Sequence, residues 1–257
     1  MKLIDISAGY GKNIIVKDVS LDIKKGEVIS LIGPNGGGKS TFLKTISGRL
    51  KPLNGSVLID EKDLYKIPLK SRSKILSIVT TDRVKPEHMT GLDIVSAGRL
   101  PYTGGFGELS LKDHEAVERA MDLMKVEPLK DKDFNSLSDG QKQRILIARA
   151  ICQETRYLLM DEPTSYLDIR YRMELMDTVK ELSYQGVTVI MSLHEPELAL
   201  RVSDRILLIN EKGRASVKTP GEVINEELIR ELYGMSEEMY ERVRGTLAKD
   251  LKRRPYE

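Results

Sequence analysis

The apolar run Val28-Ile29-Ser30-Leu31-Ile32 leads directly into Gly33-Pro34-Asn35-Gly36-Gly37-Gly38-Lys39-Ser40-Thr41, and a helical pattern follows with Phe42, Leu43 and Ile46 on one face. A strand, a glycine-rich loop and a helix in that order constrain the chain more than any other feature. The loop turns its backbone N–H groups inward, and the helix N-terminus adds a partial positive charge. The glycines permit backbone angles and close approaches that a side chain would block. Lys39 is spaced to reach the β- and γ-phosphates of a nucleotide, and the Ser40 hydroxyl to hold Mg²⁺. The stretch implies a nucleoside triphosphate site, for ATP or GTP.

The bulk properties add exclusions. A chain of 257 residues can bury one sizeable core with a smaller subdomain on it. A net charge of +2 offers no general argument for nucleic acid. The single cysteine, Cys152, excludes a disulfide framework and suits a reducing compartment. Lys2 and Asp5 interrupt any signal-peptide core at the start, and no window approaches the ~20 apolar residues that cross a bilayer. A membrane role is therefore expected to come through a partner.

Along the chain, short apolar or alternating runs over 3–6, 14–16, 19–23, 56–59 and 75–79 predict strands, punctuated by Gly9-Tyr10-Gly11 and by Pro52-Leu53-Asn54-Gly55. Between about Thr90 and Gln153 the helical period takes over, with helices expected over 111–124 and 141–151. The β/α alternation resumes with strands over 157–160, 187–192 and 205–209 and a helix over 169–182. A helical block set between two parts of an α/β core is the simplest organisation. No internal repeat is found. After Gly234, Ser236 is suited to cap a helix with Met239, Val243, Leu247 and Leu251 at four-residue spacing, and Lys249, Lys252, Arg253 and Arg254 make its end basic.

Tyr157-Leu158-Leu159-Met160-Asp161-Glu162 is an apolar strand ending in adjacent carboxylates, which brings both to the ligand-binding edge of a parallel sheet. Asp161 is placed to hold the Mg²⁺ shell, and Glu162 to orient and deprotonate an attacking water. Just upstream stands Leu137-Ser138-Asp139-Gly140-Gln141. With this segment the chain resembles the ATP-binding subunits of ABC transporters, whose signature usually reads LSGGQ. The resemblance covers the chain to about Gly234 and implies an α/β fold: a P-loop NTPase core with an N-terminal antiparallel β subdomain and an inserted helical subdomain. It implies one domain over 1–234, with core 1–84 and 155–234, helical subdomain about 85–154, and a basic helical tail over 235–257.

The resemblance also assigns residues. Ser138, Gly140 and Gln141 would cover the γ-phosphate of ATP held by the opposite subunit, and Asp139, in place of the usual glycine, is expected to face outward. Tyr10 matches the aromatic that stacks on adenine, Asp168 the loop that senses the neighbouring site, and His194 the histidine at the γ-phosphate. The family's usual glutamine after the strand at 75–79 is missing, and the alignment places Thr81 there, so either Thr81 or Asp82 is expected to take over the contact to Mg²⁺. Gly98-Arg99-Leu100-Pro101-Tyr102 and His194-Glu195-Pro196-Glu197-Leu198-Ala199 resemble the importers of ferric siderophores, haem or cobalamin. That branch implies a homodimer, a multi-span permease, an extracytoplasmic substrate-binding protein met only indirectly, and a peripheral place on the cytoplasmic face of the inner membrane. A soluble ABC ATPase of iron–sulfur cluster assembly stays open as the alternative.

Overall fold

The computed structural model describes residues 1–82, 85–104, 107–225, 228–233, 236–238 and 241. Its centre is a six-stranded sheet in the order β10-β9-β3-β8-β7-β6, using β3 (Val28–Ile32), β6 (Leu76–Val79), β7 (Tyr157–Met160), β8 (Thr188–Ser192), β9 (Arg205–Ile209) and β10 (Ala215–Lys218). The five strands β9, β3, β8, β7 and β6 run parallel, and β10 adds an antiparallel edge. Every residue of β3, β7 and β8 is buried, as expected of parallel strands covered on both faces.

The pleat sorts these side chains between two cores. Val28, Leu158, Met160, Val189 and Met191 face the helical side, whereas Ile29, Leu31, Tyr157, Leu159 and Ile190 face the second sheet. That sheet is antiparallel, with β1 (Lys2–Tyr10), β2 (Asn13–Asp22), β4 (Asn54–Ile59) and β5 (Lys62–Asp63) in the order β2-β1-β4-β5. Helix α1 (Lys39–Ile46) belongs to the core between the sheets, burying Phe42, Leu43 and Ile46 there. The loop that precedes it is thereby held at the carboxyl ends of the parallel strands.

One difference from the sequence pattern is instructive. The two strands expected over 14–16 and 19–23 are one, β2, although the polar Lys17-Asp18 pair interrupts the alternation. Asp18 takes φ 51, which makes room for an irregularity in the pairing with β1, and Ser7 Oγ donates to Asp18 Oδ1 at 3.1 Å. Aspartate tolerates this left-handed conformation, so the strand bends without ending.

The helical side begins with α2 (Leu69–Arg72), a single turn before β6. Helices α3 (Gly91–Ser96), α4 (Leu111–Leu123) and α5 (Asp139–Cys152) follow, packed on one another. Each starts at a capping box, formed by Thr90 with Asp93, Ser110 with Asp113, and Ser138 with Gln141. Helix α6 (Ile169–Tyr184), α7 (Pro196–Val202), α8 (Pro220–Asn225) and α9 (Leu228–Tyr233) complete the order. The apolar positions and basic end expected of the tail helix lie outside the described residues. Among the described residues, no helix is long and apolar enough to cross a membrane.

Candidate active site

The glycine-rich loop, the end of β7 and the turn after β8 converge on one cleft of ≈ 370 Å³, lined by Ile15, Asn35, Gly36, Gly38, Lys39, Ser40, Thr41, Glu162 and His194. Gly38 stands immediately before α1 at φ 99, and a Cβ there would lie 2.6 Å from the side chains of both Ile15 and Val16. Only glycine fits the conformation and the space, so the first amides of α1 are offered to the cleft. Lys39 Nζ donates to the carbonyls of Gly33 at 2.7 Å and Pro34 at 3.0 Å. Burial lowers its pKa from the ordinary lysine value, and the nearby charges of Glu162 and Asp161 pull it partly back. Lys39 is thus a cation among partial charges and displaced carboxylates, with no ion-pair partner among the described residues.

Asp161 organises the floor. Its Oδ1 accepts from Ser40 Oγ at 3.0 Å and from Ser192 Oγ at 2.7 Å. Its Oδ2 is the one buried side-chain nitrogen or oxygen, among the described residues, with no hydrogen-bond partner. A buried, unsatisfied carboxylate oxygen is costly by itself, by about 1–3 kcal/mol or more. Next to a serine hydroxyl and the amides of a phosphate loop, its chemistry suits a hard divalent cation bound by oxygen. Ser40 and Asp161 therefore fit Mg²⁺.

Glu162 follows with φ 49, a left-handed conformation uncommon outside glycine and often kept where function requires it. Its N–H donates to Ser192 Oγ at 2.8 Å, and its Oε1 lies 2.6 Å from His194 Nε2. Both side chains keep partial exposure, 27% and 37%, so the pair faces the cleft. Glu162 also borders a neighbouring cleft of ≈ 430 Å³ with Thr81, Asp82, Asp139 and Tyr166. There Thr81 is exposed, in the bend after β6, while Asp82 lies 3.9 Å from Lys44 Nζ and 3.6 Å from Arg49 Nη1.

Other expected residues lie farther from this floor. Tyr10 is 51% exposed at the tip of the β1–β2 hairpin, and it is Ile15 of β2 that lines the phosphate cleft. Asp168 caps α6, accepting from Tyr171 N–H at 3.0 Å. Ser138 caps α5, with its Oγ accepting from Gln141 N–H at 3.3 Å and its own N–H donating to Gln141 Oε1 at 3.0 Å. Gly140 approaches the carbonyl of Tyr166 so closely that a Cβ would stand 2.7 Å from that oxygen. Asp139 is exposed. Neither Ser138, Gly140 nor Gln141 lines the phosphate cleft of its own chain.

Sequence reasoning missed Ser192 and Ile15. Ser192 ends β8 on the face shared with Ile190, and Asp161 follows β7 on the face of Tyr157 and Leu159, so the parallel β7–β8 pairing brings them together. The Arg99–Tyr102 tract is structural. Buried Arg99 donates to Asp113 Oδ1 at 2.8 Å, the Cys152 carbonyl at 2.7 Å and Glu154 Oε2 at 2.9 Å, and it stacks 4.2 Å from the centre of the Tyr102 ring.

With this geometry in hand, comparison with known proteins is direct. Residues 16–165 match the family model described as ABC transporter. The "Probable siderophore transport system ATP-binding protein YusV" of Bacillus subtilis is 38% identical over 232 residues, covering 90% of this chain and 84% of that one. The petrobactin import ATP-binding protein FpuD of Bacillus anthracis is 36% identical over 231 residues, covering 90% and 85%. Among solved structures, the dimeric bacterial ABC transporter cassette MJ0796 superposes with a TM-score of 0.76 at 29% identity, covering 85% of this chain and 98% of that one. The chain belongs to the ABC transporter ATP-binding proteins and is an ATPase cassette of that family.

Proposed function

We propose that this ATPase powers an importer of an iron complex, a ferric siderophore first among them, as a homodimer bound to a multi-span permease on the cytoplasmic face of the membrane. One observation carries the chemistry: Lys39, Ser40, Glu162 and His194 line a single cleft, Ser40 Oγ donates to Asp161 Oδ1 while Asp161 Oδ2 has no hydrogen-bond partner among the described residues, and Glu162 Oε1 lies 2.6 Å from His194 Nε2. Lys39 and the loop amides bind the β- and γ-phosphates. Ser40 and Asp161 hold Mg²⁺, which supplies positive charge at the phosphate oxygens when bound. Of the two candidates after β6, Asp82 lies within 4 Å of Lys44 and Arg49, which favours Thr81 as the residue that would contact the metal. Glu162 accepts the proton of the attacking water, and His194 fixes the Glu162 carboxylate and contacts the γ-phosphate.

Dimerisation follows from what the cleft lacks on its own chain. Ser138, Gly140 and Gln141 sit away from it, at an exposed helix N-terminus suited to an anion. A second copy brings that terminus over the γ-phosphate, with Asp168 at the junction and Tyr10 against the adenine. The dimeric state of the cassette MJ0796 supports the pairing of two copies. Closure with ATP and reopening after hydrolysis transmit work only through a difference in ATP affinity between the two states. The siderophore and petrobactin relatives support an iron-chelate cargo and favour import over iron–sulfur assembly. An extracytoplasmic binding protein delivers that cargo, and this subunit touches neither it nor nucleic acid.

Glu162→Gln tests the reading. The variant is expected to bind ATP at the parent affinity, to lose at least about 100-fold in turnover, and to elute as a dimer from gel filtration with ATP. Full activity in a monomer refutes it. In proteoliposomes with the cognate permease and binding protein, ATP-dependent uptake of a ferric siderophore is expected. Uptake of no iron chelate overturns the cargo assignment alone.

A further inference from the structure

Ser192 is absent from every motif that pointed to the site, yet its hydroxyl makes two hydrogen bonds beneath the cleft. It is fully buried, at 0% exposure, as the last residue of β8. Backbone pairing holds it between β3, where it lies opposite Leu31, and β7, whose Met160 lies opposite the preceding Met191. Its one hydroxyl serves both catalytic carboxylate residues. The O–H donates to Asp161 Oδ1 at 2.7 Å, and the same oxygen accepts the Glu162 N–H at 2.8 Å.

We infer that Ser192 is a positioning residue for hydrolysis, orienting Asp161 toward Mg²⁺ and holding Glu162 in its left-handed backbone conformation. The inference rests on the ATPase reading above and adds a residue to it. Two observations point the same way. Asp161 Oδ1 receives Ser40 and Ser192 from the protein, so the carboxylate cannot turn without losing a buried hydrogen bond, and Oδ2 is the oxygen left over for a cation. Glu162 at φ 49 keeps an unfavourable conformation whose N–H is anchored by Ser192. Such conformations persist only where their surroundings fix them. Among the described residues no other side chain hydrogen-bonds to both: Ser40 Oγ donates to Asp161, and Ser165 Oγ approaches the Glu162 side chain, at 3.4 Å.

The test compares wild type, Ser192→Ala and Ser192→Thr in three measurements: steady-state ATP hydrolysis, calorimetric binding of the non-hydrolysable analogue AMP-PNP with Mg²⁺ or with EDTA, and thermal melting. For Ser192→Ala, the Mg²⁺-dependent gain in AMP-PNP affinity and kcat are each expected to fall about tenfold or more, the usual cost of losing a partner that orients a metal ligand. Binding in EDTA should stay within about twofold, because the phosphate loop is untouched. Ser192→Thr, which keeps the hydroxyl, should recover most of both losses. If Ser192→Ala binds and hydrolyses like wild type, or melts lower while keeping the Mg²⁺-dependent gain and kcat, Ser192 is only packing and the inference is overturned. If Ser192→Ala does not fold, Ser192→Cys, which retains the size but not the strong acceptor, is judged by the same criteria. A wild-type protein without Mg²⁺-dependent hydrolysis sinks the ATPase reading instead, so the two failures are distinguishable.

Discussion

Asp161 and Asp113 are both buried aspartates, 2% and 6% exposed, and their hydrogen bonding is opposite in kind. Asp113 is saturated: Oδ1 takes Arg99 Nε at 2.8 Å, while Oδ2 takes Ser110 N–H at 2.9 Å and Ser110 Oγ at 2.6 Å. Asp161 has one oxygen doubly bonded and the other with no partner. The cations differ in the same way. Arg99 is enclosed by Asp113, Glu154 and a carbonyl, whereas Lys39 rests on the carbonyls of its own loop. A complete network fixes the helical block; an incomplete one receives a ligand. Satisfaction of the polar atoms, more than burial or charge, separates structure from site here.

The comparison breaks most visibly at Asp161. Asp161→Asn should lower Mg²⁺-dependent phosphate release by more than about 100-fold. Its melting temperature should hold or rise, because a buried charge without its ligand is a liability to the fold. A variant that melts far lower while still turning over would place Asp161 with Asp113, among the structural carboxylates.

The converse substitution is Arg99→Met. It leaves Asp113 buried without its cation and is expected to cost about 3–5 kcal/mol in urea unfolding, with nucleotide affinity of the folded protein within about threefold of wild type. A neutral effect on stability would mean that the Arg99 network is not what anchors α4 to α5.

A smaller effect sharpens the contrast through pH. The Ser110 hydroxyl, with Arg99 adding to it, holds the Asp113 carboxyl down at about 2, against an unfolded value of 3.8. A depressed folded value stabilises the protein above the unfolded one and ceases to do so as pH falls through the folded one. Between pH 5 and pH 2 the wild type should therefore lose more stability than Asp113→Asn, whose side chain does not titrate. Parallel urea midpoints across that range would remove Asp113 from the acid response.

Much of this site was legible from residue order. Gly33 to Thr41 and Tyr157 to Glu162 are contiguous, and their chemistry depends on local geometry that a strand followed by a turn dictates. The cap at Ser138 is equally local, made with Gln141 three residues on. The unbroken course of β2 was not, because an aspartate at φ 51 disguises a bend as an end. Short α3, α7, α8 and α9 and the edge strand β10 also escaped, since six or seven residues seldom show a full helical period and an edge strand pairs on one side only.

What the residue order determined alone was the kind of chemistry: a phosphate cradle, adjacent carboxylates and a capped helix tip, each built within a few consecutive positions. What only the tertiary structure decided was which groups meet. Ser192 reaches Asp161 across 31 positions, Arg99 reaches Glu154 across 55, and Asp82 comes within 4 Å of Lys44 and Arg49. Those choices depend on strand order and helix packing, and no short-range pattern encodes the distance between residues that the chain brings together from far apart.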